Sequence, residues 1–259
     1  MKQRIITAVI ALLALMLVLF VLPQQIAMLV IVAVMLAGAW EWSAFLGLSG
    51  NGGRVFFVIV IAALLAAVTF LAVDAALVFK VSLAWWLIAL IWTFFFPTPI
   101  PAAVIWLAGP LVLVPLYLAL VTLYIAGPMT LLFALLIVWV ADSGAFFAGK
   151  TMGRVKLAPR ISPGKTWEGV IGGLLAVVLL TLLRSLWVDT DLAVFVPFCL
   201  AVACISIVGD LTVSMFKRTA GMKDSGSLFP GHGGVLDRID SVAAAAPLYA
   251  LGLGWAGLQ

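Results

Sequence analysis

Four aspartates, Asp142, Asp210, Asp237 and Asp240, carry the strongest chemical signal in this 259-residue chain, because each lies against a long apolar run. An ionised carboxylate in hydrocarbon costs several kcal/mol, so each must face a cavity, a cation or a paired base. Asp142 ends one apolar run in Ala141-Asp142-Ser143-Gly144, and Asp210 ends another in Val208-Gly209-Asp210. A structural salt bridge or a water-exposed helix end is the alternative for both. Asp237 and Asp240 stand three apart in Asp237-Arg238-Ile239-Asp240, which puts them on one face of a helix. Carboxylates beside a phosphate site commonly hold Mg²⁺, a hard cation that shares its oxygen ligands with substrate phosphates. An ordinary charged first turn, where Asp favours the helix dipole, explains the same four residues equally well.

Cations and glycines accompany these acids. Of the 14 Lys and Arg, nine fall in two stretches: Lys150, Arg154, Lys156, Arg160 and Lys165, then Lys217, Arg218, Lys223 and Arg238. Such clustering points to cytoplasmic loops, anionic headgroups or a phosphate-bearing ligand, not to nucleic acid. Pro230-Gly231-His232-Gly233-Gly234 offers backbone N–H groups that can approach an anion closely, although a plain inter-helix loop reads the same way. His232 is the only histidine, which argues against a His-based metal site. Gly164-Lys165-Thr166 ends like a P-loop, but Pro159 stands where the first glycine belongs, and no strand is expected before it. A Walker-type fold is therefore rejected. Lys165 and Thr166 stay candidate phosphate contacts at the mouth of a helix.

The elements that must position these residues follow from composition. The chain is 66% hydrophobic and 9% charged, with a mean hydropathy of +1.32, whereas soluble domains carry about 25% charged residues. Lipid must cover most of its exterior. Uninterrupted apolar runs of ~20 residues require helices, since a barrel would alternate polar and apolar positions. The predicted fold is all-α, a polytopic integral membrane protein with about nine transmembrane helices, at 5–22, 26–42, 55–73, 78–96, 102–125, 129–148, 168–187, 193–215 and 241–257. Pro97, Pro99 and Pro101 separate the fourth from the fifth, and Pro110 and Pro115 are expected to bend the fifth. Lys2, Arg4, Arg54 and both basic stretches fall on one side, which gives an N-in and C-out arrangement. Residues 1–128 read as a scaffold with few polar side chains beyond Glu41 and Asp74, and 129–259 as the catalytic region of one integrated membrane domain. Cys199 and Cys204, in one apolar run, read as small core residues.

The segment Ser214-Met215-Phe216-Lys217-Arg218, then Lys223-Asp224, then Pro230-Gly231-His232-Gly233-Gly234-Val235-Leu236-Asp237-Arg238-Ile239-Asp240 resembles the signature of phosphatidate cytidylyltransferases. The match runs without a gap over 214–240. Ala141-Asp142-Ser143-Gly144-Ala145-Phe146 and Ser162-Pro163-Gly164-Lys165-Thr166-Trp167-Glu168-Gly169 also look like this family. The resemblance implies a multi-span helical membrane protein that dimerises, in the bacterial inner membrane with its active site facing the cytoplasm. It implies CTP and phosphatidic acid as substrates, CDP-diacylglycerol and pyrophosphate as products, and Mg²⁺ as cofactor. A second, monovalent cation such as K⁺ is also associated with the family.

On this reading Asp210 and Asp237 are the first-choice metal ligands, with Asp240 next. Lys217, Arg218 and Lys223 would bind triphosphate or lipid phosphate, and His232, Gly233 and Gly234 would close over the phosphates. Asp142, Ser143, Lys165 and Thr166 would line the opposite wall, while Arg238 would pair with an aspartate or bind phosphate. The nearest rival is a CTP-dependent polyprenol kinase, whose products would be a phosphorylated alcohol and CDP. A transporter is disfavoured because the charges gather at one face and no two-fold repeat of broken helices is visible.

Overall fold

A computed structural model describes residues 2–48, 50–71, 73–226, 228 and 233–255. Among them run nine α-helices: α1 Lys2–Phe20, α2 Gln24–Trp42, α3 Asn51–Phe70, α4 Ala75–Phe95, α5 Ala102–Ala126, α6 Pro128–Met152, α7 Trp167–Arg184, α8 Leu192–Thr219 and α9 Leu236–Trp255. Each apolar run of the sequence has become one helix. Seven of them, α2 to α8, are long and apolar enough to cross a membrane, and α1 contributes the shorter apolar stretch Ile6–Phe20. The chain is thus an all-α polytopic membrane protein.

Helix ends follow local chemistry. Asp74 and Asp191 cap α4 and α8, accepting hydrogen bonds from the amides of Ala76 and Ala193 at 2.9 Å each. The prolines at 97, 99 and 101 keep α4 from continuing into α5, whereas α5 itself runs on through Pro110 and Pro115. At about 1.5 Å per residue, the 28 residues of α8 span about 42 Å, more than a hydrocarbon core of ~30 Å. Its last turn, with Lys217 and Arg218, therefore reaches the polar zone.

The buried centre forms around α5 and α9. α9 touches α2, α4, α5, α6 and α8, and its run Ala243–Ala246 is buried, with small side chains that let these neighbours approach. α6 and α7 pack closely through glycines: a Cβ on Gly144 would lie 2.8 Å from the Ala176 methyl, and one on Gly173 would lie 2.5 Å from the Ala141 carbonyl. Large apolar side chains such as Leu13, Phe70, Ile91 and Leu175 stay exposed on the outer faces, as a lipid-covered exterior requires.

One element departs from the sequence expectation. Between α6 and α7 lies an antiparallel hairpin, β1 Lys156–Ala158 and β2 Ser162–Thr166, paired Lys156 to Thr166 and Ala158 to Ser162. Gly164-Lys165-Thr166 thus lies in a strand with another before it. The pairing is antiparallel and turns at Pro159-Arg160, so it is no phosphate-binding strand–loop–helix unit. Arg218 Nε donates to the Ile161 carbonyl at 3.2 Å, which ties the hairpin to the end of α8.

Candidate active site

Helical spacing assembles the polar residues on two facing stripes. On α8, Asp210, Ser214 and Lys217 recur at i, i+4 and i+7 and share one face. On α9, Asp237, Asp240 and Ser241 stand at i, i+3 and i+4 and likewise share a face. The two helices cross at Gly209, where an added Cβ would sit 2.5 Å from the Asp240 carbonyl oxygen. That close approach puts Asp210 beside Asp240.

Each carboxylate has a defined partner. Lys165 Nζ, from β2, lies 2.6 Å from Asp210 Oδ2, and the Ser214 hydroxyl donates to Asp210 Oδ1 at 3.1 Å. Lys217 Nζ donates to Asp237 Oδ1 at 2.7 Å and lies 3.9 Å from Asp240 Oδ2. Asp237 Oδ2 accepts from the amides of Ser225 and Gly234, both at 2.9 Å. Lys217 and Asp240 are 8% and 7% exposed, so removing the Lys217 ammonium would leave the buried Asp240 carboxylate without its salt-bridge partner. Gly233 turns the chain into this arrangement with φ +79°, and a Cβ there would meet Asp237 Oδ2 at 2.5 Å.

These side chains enclose a cavity of about 430 Å³. Its polar wall holds Asp142, Asp224, Asp210, Asp237 and Asp240 against Lys165, Lys217 and Arg238, five carboxylates to three cations. Its apolar wall is made by Phe146, Val170, Leu174 and Ile207. Thr166 also lines it, with its hydroxyl oxygen already accepting from the Gly169 amide at 3.1 Å as the cap of α7. Ser143, Arg218 and Lys223 are exposed and do not belong to the lining. His232 lies outside the described residues.

Three participants escaped the sequence reading. Asp224 and Ser241 line the cavity; Asp224 stands in the signature segment without an assigned role, and Ser241 follows Asp240. The third, Glu41, comes from α2 and lies buried, accepting from Ser225 Oγ, Val235 N and Leu236 N.

The arrangement suits a cation delivered with a phosphate ligand. Among the described residues no three acidic, His or Cys side chains stand close enough to form a ready metal cage. Mg²⁺ does not need one, because it is usually bound by one or two carboxylates together with substrate phosphates. Asp210 and Asp240 face each other across the helix crossing, and Asp237 Oδ1 keeps a lone pair beyond its bond to Lys217. The excess of carboxylates would also repel a bare polyphosphate and accept one accompanied by a divalent cation.

Comparison with known proteins gives a consistent picture. A profile of the cytidylyltransferase family matches residues 2–254. The chain is 42% identical over 270 residues to a phosphatidate cytidylyltransferase of Pseudomonas aeruginosa, covering 99% of this chain and 98% of that one. It is 36% identical over 286 residues to one of Haemophilus influenzae, covering 96% and 97%. A Brucella suis protein of the same name is 49% identical over 128 residues, about half of each chain (49% and 47%).

Proposed function

The chain belongs to the cytidylyltransferase family, and from that premise we infer that it is a phosphatidate cytidylyltransferase, which transfers CMP from CTP to phosphatidic acid to give CDP-diacylglycerol and pyrophosphate. The observation that carries the reading within the molecule is the two-sided cavity. A polar wall of paired carboxylates and ammonium groups suits phosphates, and the wall of Phe146, Val170, Leu174 and Ile207 suits a lipid.

In the reaction a phosphate oxygen of phosphatidic acid attacks the α-phosphorus of CTP. The bond from that phosphorus to the bridging oxygen breaks, and pyrophosphate leaves. The nucleophile is already an anion near neutral pH, so no strong protein base is required. The task is to bring two polyanions together, and catalysis is then mainly positioning and charge neutralisation. Lys165, Lys217 and Arg238 neutralise phosphate oxygens from the cavity wall. Asp210, Asp240 and Asp237 would hold Mg²⁺, which supplies Lewis-acid neutralisation of the transferring phosphates. Lys217, buried between Asp237 and Asp240, orients both carboxylates. Asp142 and Asp224 close the polar wall. A monovalent cation such as K⁺ would occupy the remaining carboxylate charge.

The nine-span count, an N-in and C-out orientation, a site facing the cytoplasm at the inner membrane, and a homodimer complete the proposal. The decisive assay incubates purified protein in detergent with CTP, phosphatidic acid and Mg²⁺, then omits each in turn. CDP-diacylglycerol and pyrophosphate should form only when all three are present. CDP with no pyrophosphate would instead identify a lipid kinase.

A further inference from the structure

Glu41 is the one acidic side chain that the first part of the chain sends under the site. It sits in the last turn of α2 and is 7% exposed. A carboxylate is unfavourable at a helix C-terminus, where its own helix dipole is negative, and burial adds to the penalty. Both oxygens are nonetheless filled. Oε1 accepts from the Val235 amide at 2.9 Å, and Oε2 accepts from the Leu236 amide at 2.8 Å and from the Ser225 hydroxyl at 2.9 Å. Val235 immediately precedes α9 and Leu236 is its first residue, and neither has a side-chain oxygen with which to cap the helix. The first amides of a helix need such a partner. Glu41 supplies it from across the bundle. The fit leaves no slack: a Cβ on Gly226 or on Gly234 would run into the Glu41 carboxylate.

The residues gripped in this way stand directly beside the cavity lining, since Asp224 precedes Ser225 and Asp237 follows Leu236. Ser225 gives its hydroxyl to Glu41 and its amide to Asp237. Gly234 gives its amide to Asp237 and packs against Glu41. The same turn of α9 carries Asp237 and Asp240 towards Lys217 and Asp210. Glu41 does not line the cavity itself.

We propose that Glu41 is a positioning residue, which caps α9 from α2 and holds Ser225 against it so that Asp237 and Asp240 are presented to Asp210 in a fixed geometry. The proposal rests on the transferase reading for its kinetic consequence and not for its structural one. It also gives the amino-terminal helices a part in the reaction: α2 sets the shape of a site that it does not enter.

The test uses the full chain in detergent with Glu41→Gln, which keeps length and places an N–H₂ against donors, and with Ser225→Ala, which removes one of the three bonds and leaves Glu41 intact. Hydrogen exchange of the peptide covering 225–241 should quicken at least tenfold in Glu41→Gln, with the other helices unchanged. In the same variant kcat should fall at least thirtyfold and the Mg²⁺ concentration for half-activation should rise about tenfold. The KM for phosphatidic acid should stay within twofold, since Glu41 does not line the cavity. Ser225→Ala should move each quantity the same way by less, and the double variant should match Glu41→Gln alone, because one contact has been removed twice. Unchanged exchange at 225–241 in both variants would overturn the proposal whatever the activity. So would a uniform loss of stability with kcat and Mg²⁺ dependence intact in the surviving protein. A wild-type protein that makes no CDP-diacylglycerol would refute the transferase reading and leave the exchange result to decide the role of Glu41.

Discussion

Asp237 does two jobs with two oxygens, and the jobs are separable. Oδ2 holds the loop through the amides of Ser225 and Gly234, and Oδ1 meets Lys217 and the cavity. Asp237→Asn places an amide N–H₂ against either an ammonium or two backbone donors. CDP-diacylglycerol synthesis should drop by about 10²–10³-fold or more, while the protein still elutes as folded, inserted material. Asp74→Asn, on the cap of α4, is the matched control and should retain activity within twofold. At this scale the sequence was informative where ionisable groups are rare. Asp142, Asp210, Asp237, Asp240, Lys165 and Lys217 stand out in a chain with 9% charged residues, and all line the cavity. Glu41 stood out just as much, but its partners lie 184 to 195 residues away. No local spacing connects them. The available sign was a carboxylate in the last turn of an apolar helix, where neither lipid nor its own helix dipole stabilises it.

The crossing of α8 and α9 depends on the missing side chain at Gly209. An alanine there must push against the Asp240 carbonyl, which is backbone and cannot swing aside. Gly209→Ala should destabilise the protein by about 1–3 kcal/mol, read as a lower thermal midpoint in detergent. It should also weaken activity more than its stability loss alone explains, because Asp210 and Asp240 move apart. The helices were legible as apolar runs, and the seven from α2 to α8 are long and apolar enough to cross a bilayer; the proline triplet marked the break after α4. The β1–β2 hairpin was not legible. Its strands are short and lack an alternating apolar pattern, and their pairing is completed by Trp167 N donating to the Val155 carbonyl and by Arg218 from a distant helix. Lys165 reaches Asp210 because it lies in that hairpin.

For the molecule as a whole, the proposed N-in and C-out orientation puts the hairpin and the loop between α7 and α8 on opposite sides of the membrane. With Cys199 and Cys204 replaced by alanine, Lys156→Cys should react with an impermeant maleimide only in inverted vesicles. Asp189→Cys should react only in intact spheroplasts. The swapped pattern would reverse the orientation, and labelling of both from one side would break it. The sequence division at residue 128 separates a scaffold from a catalytic region, yet α9 packs on α2, α4 and α5 as well as on α6 and α8. The Glu41 cap has a consequence for biogenesis. Chains emerge N-terminus first at about 5–20 residues per second, so roughly 10–40 s separate the synthesis of Glu41 from that of the amides it will serve. During that interval α2 holds a carboxylate whose final donors do not yet exist, and it can settle into its mature place only when the last helix is threaded in. A nascent chain stalled before α9 would thus carry an unmet acidic group inside the membrane, a chemical mark by which incomplete copies differ from finished ones.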